Sequence, residues 1–292
     1  MESRLLNSQD YELIKQFSLV AKRKVTGLIT GEQRSPVLGG GIEFADYREY
    51  IPGDDIRQVD WFVFLKFRKL LIKLCAEEKE LTLIIIIDNS RSMNFGNPDK
   101  LFYAKKISSI LAGIAINNGN RCGVVTFGDK IEEILKPQRN QISLNGIISS
   151  ISKIEISNKF SPNYCIKNFA SRYGKKCMAV FISDLLFPEW SQIIKGLSAS
   201  GSESHVIQIL SKSEIDPPLF GEVTLVDIEN GTNIPLHIDY ETLKQYNTYL
   251  NDFLYEVRQI CHKQIIGYTM IRTDKSIRKI FHQELRKGGL LC

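Results

Sequence analysis

The feature that most restricts the fold is the run Leu81-Thr82-Leu83-Ile84-Ile85-Ile86-Ile87, which ends at Asp88. Its apolar side chains fall on both parities, so neither face of a strand built from it tolerates water. A central parallel strand, covered on both faces by helices, has this pattern. The run is far too short to span a membrane as a helix. A second such run, Met178-Ala179-Val180-Phe181-Ile182, also leads into an aspartate, Asp184.

The rest of the chain alternates around these two strands. Helices are expected over 8–23 (with Asp10 as cap and Leu13, Phe17, Val20 and Ala21 on its apolar face), 98–118, 141–152, 164–173, 190–198 and 242–262, with another at the end. Further strands are expected over 69–77, 123–127, 205–210 and 265–271, with a short pair near 223–227 and 234–238. Alternation at this spacing predicts an α/β fold, a doubly wound and mostly parallel sheet flanked by helices. The N-terminal helix and a β-rich extension precede it. The expected division is a segment over 1–78 packed on a main domain over 79–292.

Composition narrows the function. At 292 residues and 43% hydrophobic, the chain can bury a sizeable core, and its 24% charged residues are ordinary for a globular protein. A net charge of +5 is a small surplus for this size, so no nucleic-acid partner is indicated. The first residues lack a basic start followed by an apolar stretch, so no signal peptide or transmembrane segment is expected, and the cytoplasm is the expected location. Six cysteines are scattered without a CxxC pair and are expected as reduced thiols. The four histidines show no zinc-ligand spacing.

Ligands of open α/β sheets bind beyond the carboxyl ends of the strands. That edge carries Asp88-Asn89-Ser90-Arg91-Ser92, a D-x-S-x-S loop. On a tight loop, positions i, i+2 and i+4 can point one carboxylate and two hydroxyls at one spot. Magnesium takes about six oxygens and keeps several waters. Two neutral hydroxyls leave the ion under-neutralised, so it recruits a carboxylate from outside. Helix capping by Asn and Ser is the plainer reading of the same loop. Asp184, at the end of the second buried strand, favours the metal. A dehalogenase-type phosphatase needs a second Asp two residues on, where Ser90 stands. No Gly-rich dinucleotide loop, P-loop or nucleophile elbow is present.

The stretch from Gly41 to Trp61, with Glu43, Asp46, Arg48, Glu49, Pro52-Gly53-Asp54-Asp55, Arg57 and Asp60, followed by Asp88-Asn-Ser90-Arg-Ser92-Met93, resembles the bacterial and archaeal family named domain of unknown function 58. The likeness covers roughly residues 35 to 290. That family is similar in fold to von Willebrand factor type A domains and often lies beside MoxR-type AAA+ ATPases. The resemblance therefore implies a metal-dependent adhesion site, a partner offering a carboxylate, and an ATPase companion. It carries the ligand roles to Asp88, Ser90, Ser92 and Asp184. The middle ligand, usually a Thr, falls nearest Asn163, with Ser161 as a substitute. The cation implied is Mg2+, with Mn2+ or Ca2+ as alternatives. Lys66 stands where Arg is usual in the family, and Arg68 where Gly is common.

The charges between Glu43 and Asp60 are expected as a buried or half-buried ion-pair network, with Arg48 and Arg57 tying the loop by bidentate pairing. Trp61 is expected in the core beneath it. These residues leave three functions open. The first is a non-enzymatic, metal-dependent protein-binding module. The second is a metal-dependent hydrolase, for which no general base lies at a persuasive spacing. The third is a scaffold with a degenerate metal site.

Overall fold

The computed structural model describes residues 5–20, 43–76, 81–138, 144–174, 177–226 and 231–292. The chain divides into two compact units, one formed by residues 1–22 with 81–292 and the other by residues 23–80. The first helix therefore groups with the main unit, although 58 residues of chain intervene between Lys22 and Leu81.

That helix, α1 (Ser8–Gln16), is capped by Asn7, whose side chain accepts from the Asp10 backbone N–H. Asp10 is the reciprocal partner in a capping box, not the cap. The helix stops at Phe17, whose backbone is extended, so it is shorter than the expected 8–23. Residues 21–23 lie outside the described residues.

In the smaller unit, β1 (Glu43–Glu49) pairs antiparallel with β2 (Leu71–Ala76), with a register shift between Phe44 and Asp46. Between them lie a 3-10 turn (Ile56–Gln58) and α2 (Trp61–Phe67), a helix that the aromatic sequence did not announce. Asp60 caps α2, its carboxylate accepting from the Phe62 and Val63 N–H groups and from the Tyr47 hydroxyl. The expected arginine pairing is present. Arg48 donates to both Asp54 oxygens at 2.6 and 2.9 Å. Arg57 donates to Asp55 at 2.8 and 3.1 Å. The Arg48–Asp54 pair is half-buried, as expected, and the Arg57–Asp55 pair is a correction, being exposed. Trp61 is a correction as well: it opens α2 and keeps 50% of its surface exposed, edge-on to Phe64. Arg68 ends the helix at φ 56°, ψ 26°, the left-handed conformation that a glycine adopts without strain.

The main unit is built on a six-stranded sheet. Its strands are β3 (Thr82–Asp88), β4 (Arg121–Phe127), β5 (Ile131–Gln138), β6 (Met178–Ser183), β7 (Glu203–Leu210) and β10 (Gly267–Arg272), in the spatial order β10-β7-β6-β3-β4-β5. All neighbours are parallel except β5, which runs antiparallel to β4 at the edge. The order reverses beside β3, between β4 and β6, which is the switch point where an open sheet leaves a crevice. β5 was not foreseen in the sequence.

The two parities of β3 feed two cores. Leu83, Ile85 and Ile87 pack with α1 and α3 (Lys100–Asn117) on one face. Ile84 and Ile86 pack with α5 (Pro162–Arg172) and α6 (Trp190–Ala199) on the other. The five β3 residues Leu83 to Ile87 are at most 1% exposed, and fully burying one such side chain contributes roughly 1.5–3 kcal/mol. Helix α4 (Leu144–Ser152) adds Ile147 and Ile151 to the first core. Beyond β7 come α7 (Lys212–Ile215), the hairpin β8 (Gly221–Val226) and β9 (Asn233–Ile238), and α8 (Tyr240–Lys263). A short α9 (Ile277–Lys279) continues into a π-helical turn over Ile280–Leu285. Cys122, Cys165, Cys177 and Cys261 are buried free thiols, and Cys292 is exposed. No helix among the described residues is long and apolar enough to cross a membrane.

Candidate metal site at the carboxyl edge of the sheet

β3 and β6 are adjacent and parallel, with Ile87 opposite Ile182. Their carboxyl ends therefore coincide, and Asp88 and Asp184 project from the same edge. Both carboxylates are fully buried. The Asp88 carboxyl is held on two sides: one oxygen accepts the Ser90 backbone N–H at 2.9 Å and the other the Ser183 hydroxyl at 2.6 Å. The Ser90 and Ser92 hydroxyls lie 3.0 Å apart. Asp184 is fixed from below, where the Gln208 amide donates to its backbone carbonyl at 2.9 Å and the Tyr268 hydroxyl in turn donates to Gln208. One Asp184 carboxylate oxygen accepts the Leu186 N–H at 3.0 Å.

The electrostatics of the pair are unfavourable. Burial first, and then the Asp184 charge, push the Asp88 carboxyl up to about 7, against the opposing pull of the Ser183 and Ser90 donors. Desolvation and a like charge both disfavour the ionised form. A cation placed between the two carboxylates would reverse both effects.

The donor set suits a hard ion. The candidate ligands Asp88, Ser90, Ser92 and Asp184 all offer oxygen, as magnesium, manganese and calcium prefer. Among the described residues no group of three or more His, Cys, Asp and Glu side chains gathers around one point. An ion here would lean on hydroxyls, water and a ligand from outside. Asn89, next in the chain, donates to the Glu155 carbonyl at 2.8 Å. Its side-chain oxygen is buried with no partner among the described residues.

The remaining candidates fall less closely. Asn163 is exposed on the first turn of α5, and among the described residues no hydrogen bond ties it to the other four. The Ser161 hydroxyl lies 3.5 Å from Asp129. The loop bearing Ser161 is nonetheless tied to this edge, since the Ser161 N–H donates to the Gly128 carbonyl at 2.8 Å.

Two charged residues went unnoticed in the sequence. Lys100, the first residue of α3, has a wholly buried side chain whose ammonium lies 2.7 Å from Asp184 and 2.5 Å from Glu214. Glu214 belongs to the capping box of α7, in which its other oxygen accepts the Ser211 N–H at 2.6 Å. The spacing Ser211-x-x-Glu214 directly after β7 was the available signal, because it places an acid on the same edge.

Sheet order, parallel strands and a hydroxyl-bearing loop at the switch point define an α/β domain built on a doubly wound, mostly parallel sheet. The chain belongs to the family described as "Protein of unknown function DUF58", whose model matches residues 46–252. Uncharacterized protein Rv1480 of Mycobacterium tuberculosis is 25% identical over 232 residues, covering 77% of this chain and 73% of that protein. Among solved structures, the conserved hypothetical protein BatB from Bacteroides thetaiotaomicron has a TM-score of 0.44 at 15% identity, covering 71% of this chain and 98% of its own. Proximal thread matrix protein 1 from the mussel byssus, with a zinc-occupied MIDAS motif, scores 0.34 at 17% identity over 44% of this chain and 36% of its own.

Proposed function

We propose that this protein is a non-enzymatic binding module whose divalent cation, held by Asp88, Ser90, Ser92 and Asp184, accepts a carboxylate from a partner protein. The observation that carries the reading is the burial of two like charges on neighbouring strand ends, which raises the Asp88 carboxyl to about 7. Such a pair is a poor device for stability alone, and a cation relieves it. Magnesium is the first expectation, with manganese or calcium as alternatives. Asn163 supplies a further ligand only if the first turn of α5 approaches the ion. The companion is a MoxR-type AAA+ ATPase, a role that rests on the family likeness and not on any feature of the site.

Calorimetric titration with magnesium tests the reading. Saturable heat is expected for the wild type and none for Asp88→Asn. Capture of the ATPase that depends on magnesium would extend it to the partner.

A second reading is favoured by Lys100. Its ammonium already faces Asp184 at 2.7 Å, so the edge serves equally as a scaffold carrying its own fixed cation. Equal, absent heat for both proteins would select that reading.

A further inference from the structure

We propose that Lys100 is a tethered cation that competes with the divalent ion for Asp184, and that Glu214 is the second seat holding its ammonium when the ion arrives. The inference rests on the metal reading above and adds a control to it.

The start of α3 is fixed on both sides of Lys100. Asp99 caps α3 by accepting the Phe102 N–H at 2.6 Å, and the Lys100 N–H donates to the Phe95 carbonyl at 3.2 Å. The side chain then runs wholly buried to end between two carboxylates, with the Phe95 ring 5.8 Å from its nitrogen. Nothing in packing requires a charge there, since an apolar side chain of similar volume serves a core at least as well.

Asp184 and Glu214 set two carboxylates against one ammonium, with the Asp88 carboxyl on the neighbouring strand end. The ammonium and the ion both approach Asp184, and at close range in a buried site they repel strongly. The carboxylate has lone pairs enough for both, so the conflict is one of charge and not of room. Glu214 cannot follow the lysine, because its other oxygen is fixed in the α7 cap at 2.6 Å from the Ser211 N–H. Asp184 cannot retreat either, held through Gln208 and Leu186. The lysine side chain has the most rotatable bonds of the three, and Glu214 already accepts its ammonium.

The consequence is a weak, exchangeable ion. Lys100 keeps the empty edge neutral enough to fold and lowers the affinity for metal. A partner's carboxylate adds the negative charge that tips the balance, so ion and partner bind together.

The test is titration of the full chain with Mn2+ and Mg2+ by calorimetry, using wild type, Lys100→Gln and Glu214→Gln, with circular dichroism confirming each fold. Lys100→Gln keeps an N–H donor toward Asp184 but removes the charge, and its metal affinity is expected to rise at least tenfold. Glu214→Gln leaves the ammonium to Asp184 alone, and affinity is expected to fall at least threefold. Wild-type binding with Lys100→Gln no tighter overturns this inference and leaves the metal reading standing. No binding by either protein overturns both. Should Lys100→Gln not fold, Glu214→Gln decides: weaker binding supports the competition, and unchanged or tighter binding overturns it.

Discussion

Asp88→Asn should stabilise the metal-free protein, although it removes a fully buried hydrogen-bonded side chain. The folded-state carboxyl titrates near 7, against about 3.9 in an unfolded chain. Between those values the folded state holds a proton that the unfolded state releases. Stability is therefore fully present below about pH 4 and falls as pH rises through 7, by at most about 4 kcal/mol at roughly 1.4 kcal/mol per pH unit. Asparagine never ionises and escapes that loss. Its oxygen still accepts the Ser90 N–H, but its amide must re-orient the Ser183 hydroxyl, which now donates to Asp88 and accepts from Leu185. Re-orienting that buried hydroxyl and its Leu185 donor costs about 2 kcal/mol. The net expectation at pH 8 in chelator is a gain of about 2 kcal/mol, or roughly 4–8 °C in melting temperature. The assay is thermal melting of both proteins from pH 5 to 8 in chelator, repeated with magnesium. Wild type should lose stability across that window while the variant stays flat. Only wild type should recover with magnesium, by about 1.4 kcal/mol at tenfold excess over the dissociation constant. A variant melting at or below the wild-type temperature in chelator at pH 8 would refute the account of Asp88 as an ion-seeking carboxylate.

Four further outcomes follow from single positions. A Cβ on Gly128 would lie 2.5 Å from the Asn89 side-chain oxygen and 2.9 Å from Ser157, so Gly128→Ala should shift the loop after Asp88, weaken magnesium binding about tenfold by calorimetry, and cost about 1–3 kcal/mol in denaturant unfolding. Asp60→Ala removes the α2 cap together with the acceptor of the Tyr47 hydroxyl, and should speed exchange of the first-turn amides of α2 by an amount corresponding to about 2 kcal/mol. Arg68→Gly should relieve the left-handed strain at φ 56° and stabilise the smaller unit by up to about 1 kcal/mol, less whatever its contact with the Phe64 ring contributes; chemical denaturation reads the sign. Burial pushes the thiols of Cys122, Cys165, Cys177 and Cys261 up to about 12, so all four should resist alkylation at pH 8 until denaturant is added, while Cys292 reacts at once by mass spectrometry.

The sheet was legible where burial is two-sided. β3 and β6 announce themselves because short apolar runs fall on both parities, as two-sided burial requires. Their terminal aspartates then locate a ligand edge without further information. The edge strand was not legible, because Ile131-Glu-Glu-Ile-Leu-Lys-Pro-Gln138 mixes charges with a proline and breaks its register against β4. An edge strand tolerates proline that a central one cannot, so its sequence carries little strand signal. The smaller unit misled in a different way. Trp61-Phe-Val-Phe-Leu-Lys-Phe67 is aromatic enough to read as core, yet no residue of this helix is buried. The local signal lay instead in Asp60, which caps the helix with two backbone bonds.

The same contrast separates the two charged regions. Arg48 with Asp54 and Arg57 with Asp55 are the conspicuous pairs in sequence, spaced a few residues apart. Pairs that keep contact with solvent, the half-buried Arg48–Asp54 and the exposed Arg57–Asp55, shape a turn and contribute little stability. Lys100, Asp184 and Glu214 meet from positions up to 114 residues apart, and no local pattern announces them. A buried cluster of this kind is rarely the most stable filling of its space, and an apolar replacement is often equal or better. Local preference and global packing agree in the two-sided burial of β3 and in the capped start of α3. They part company at one edge, where Asp88 is strained by its neighbour and Lys100 answers two acids at once. Conflict of this kind at a strand-end crevice is expected where stability has been exchanged for binding.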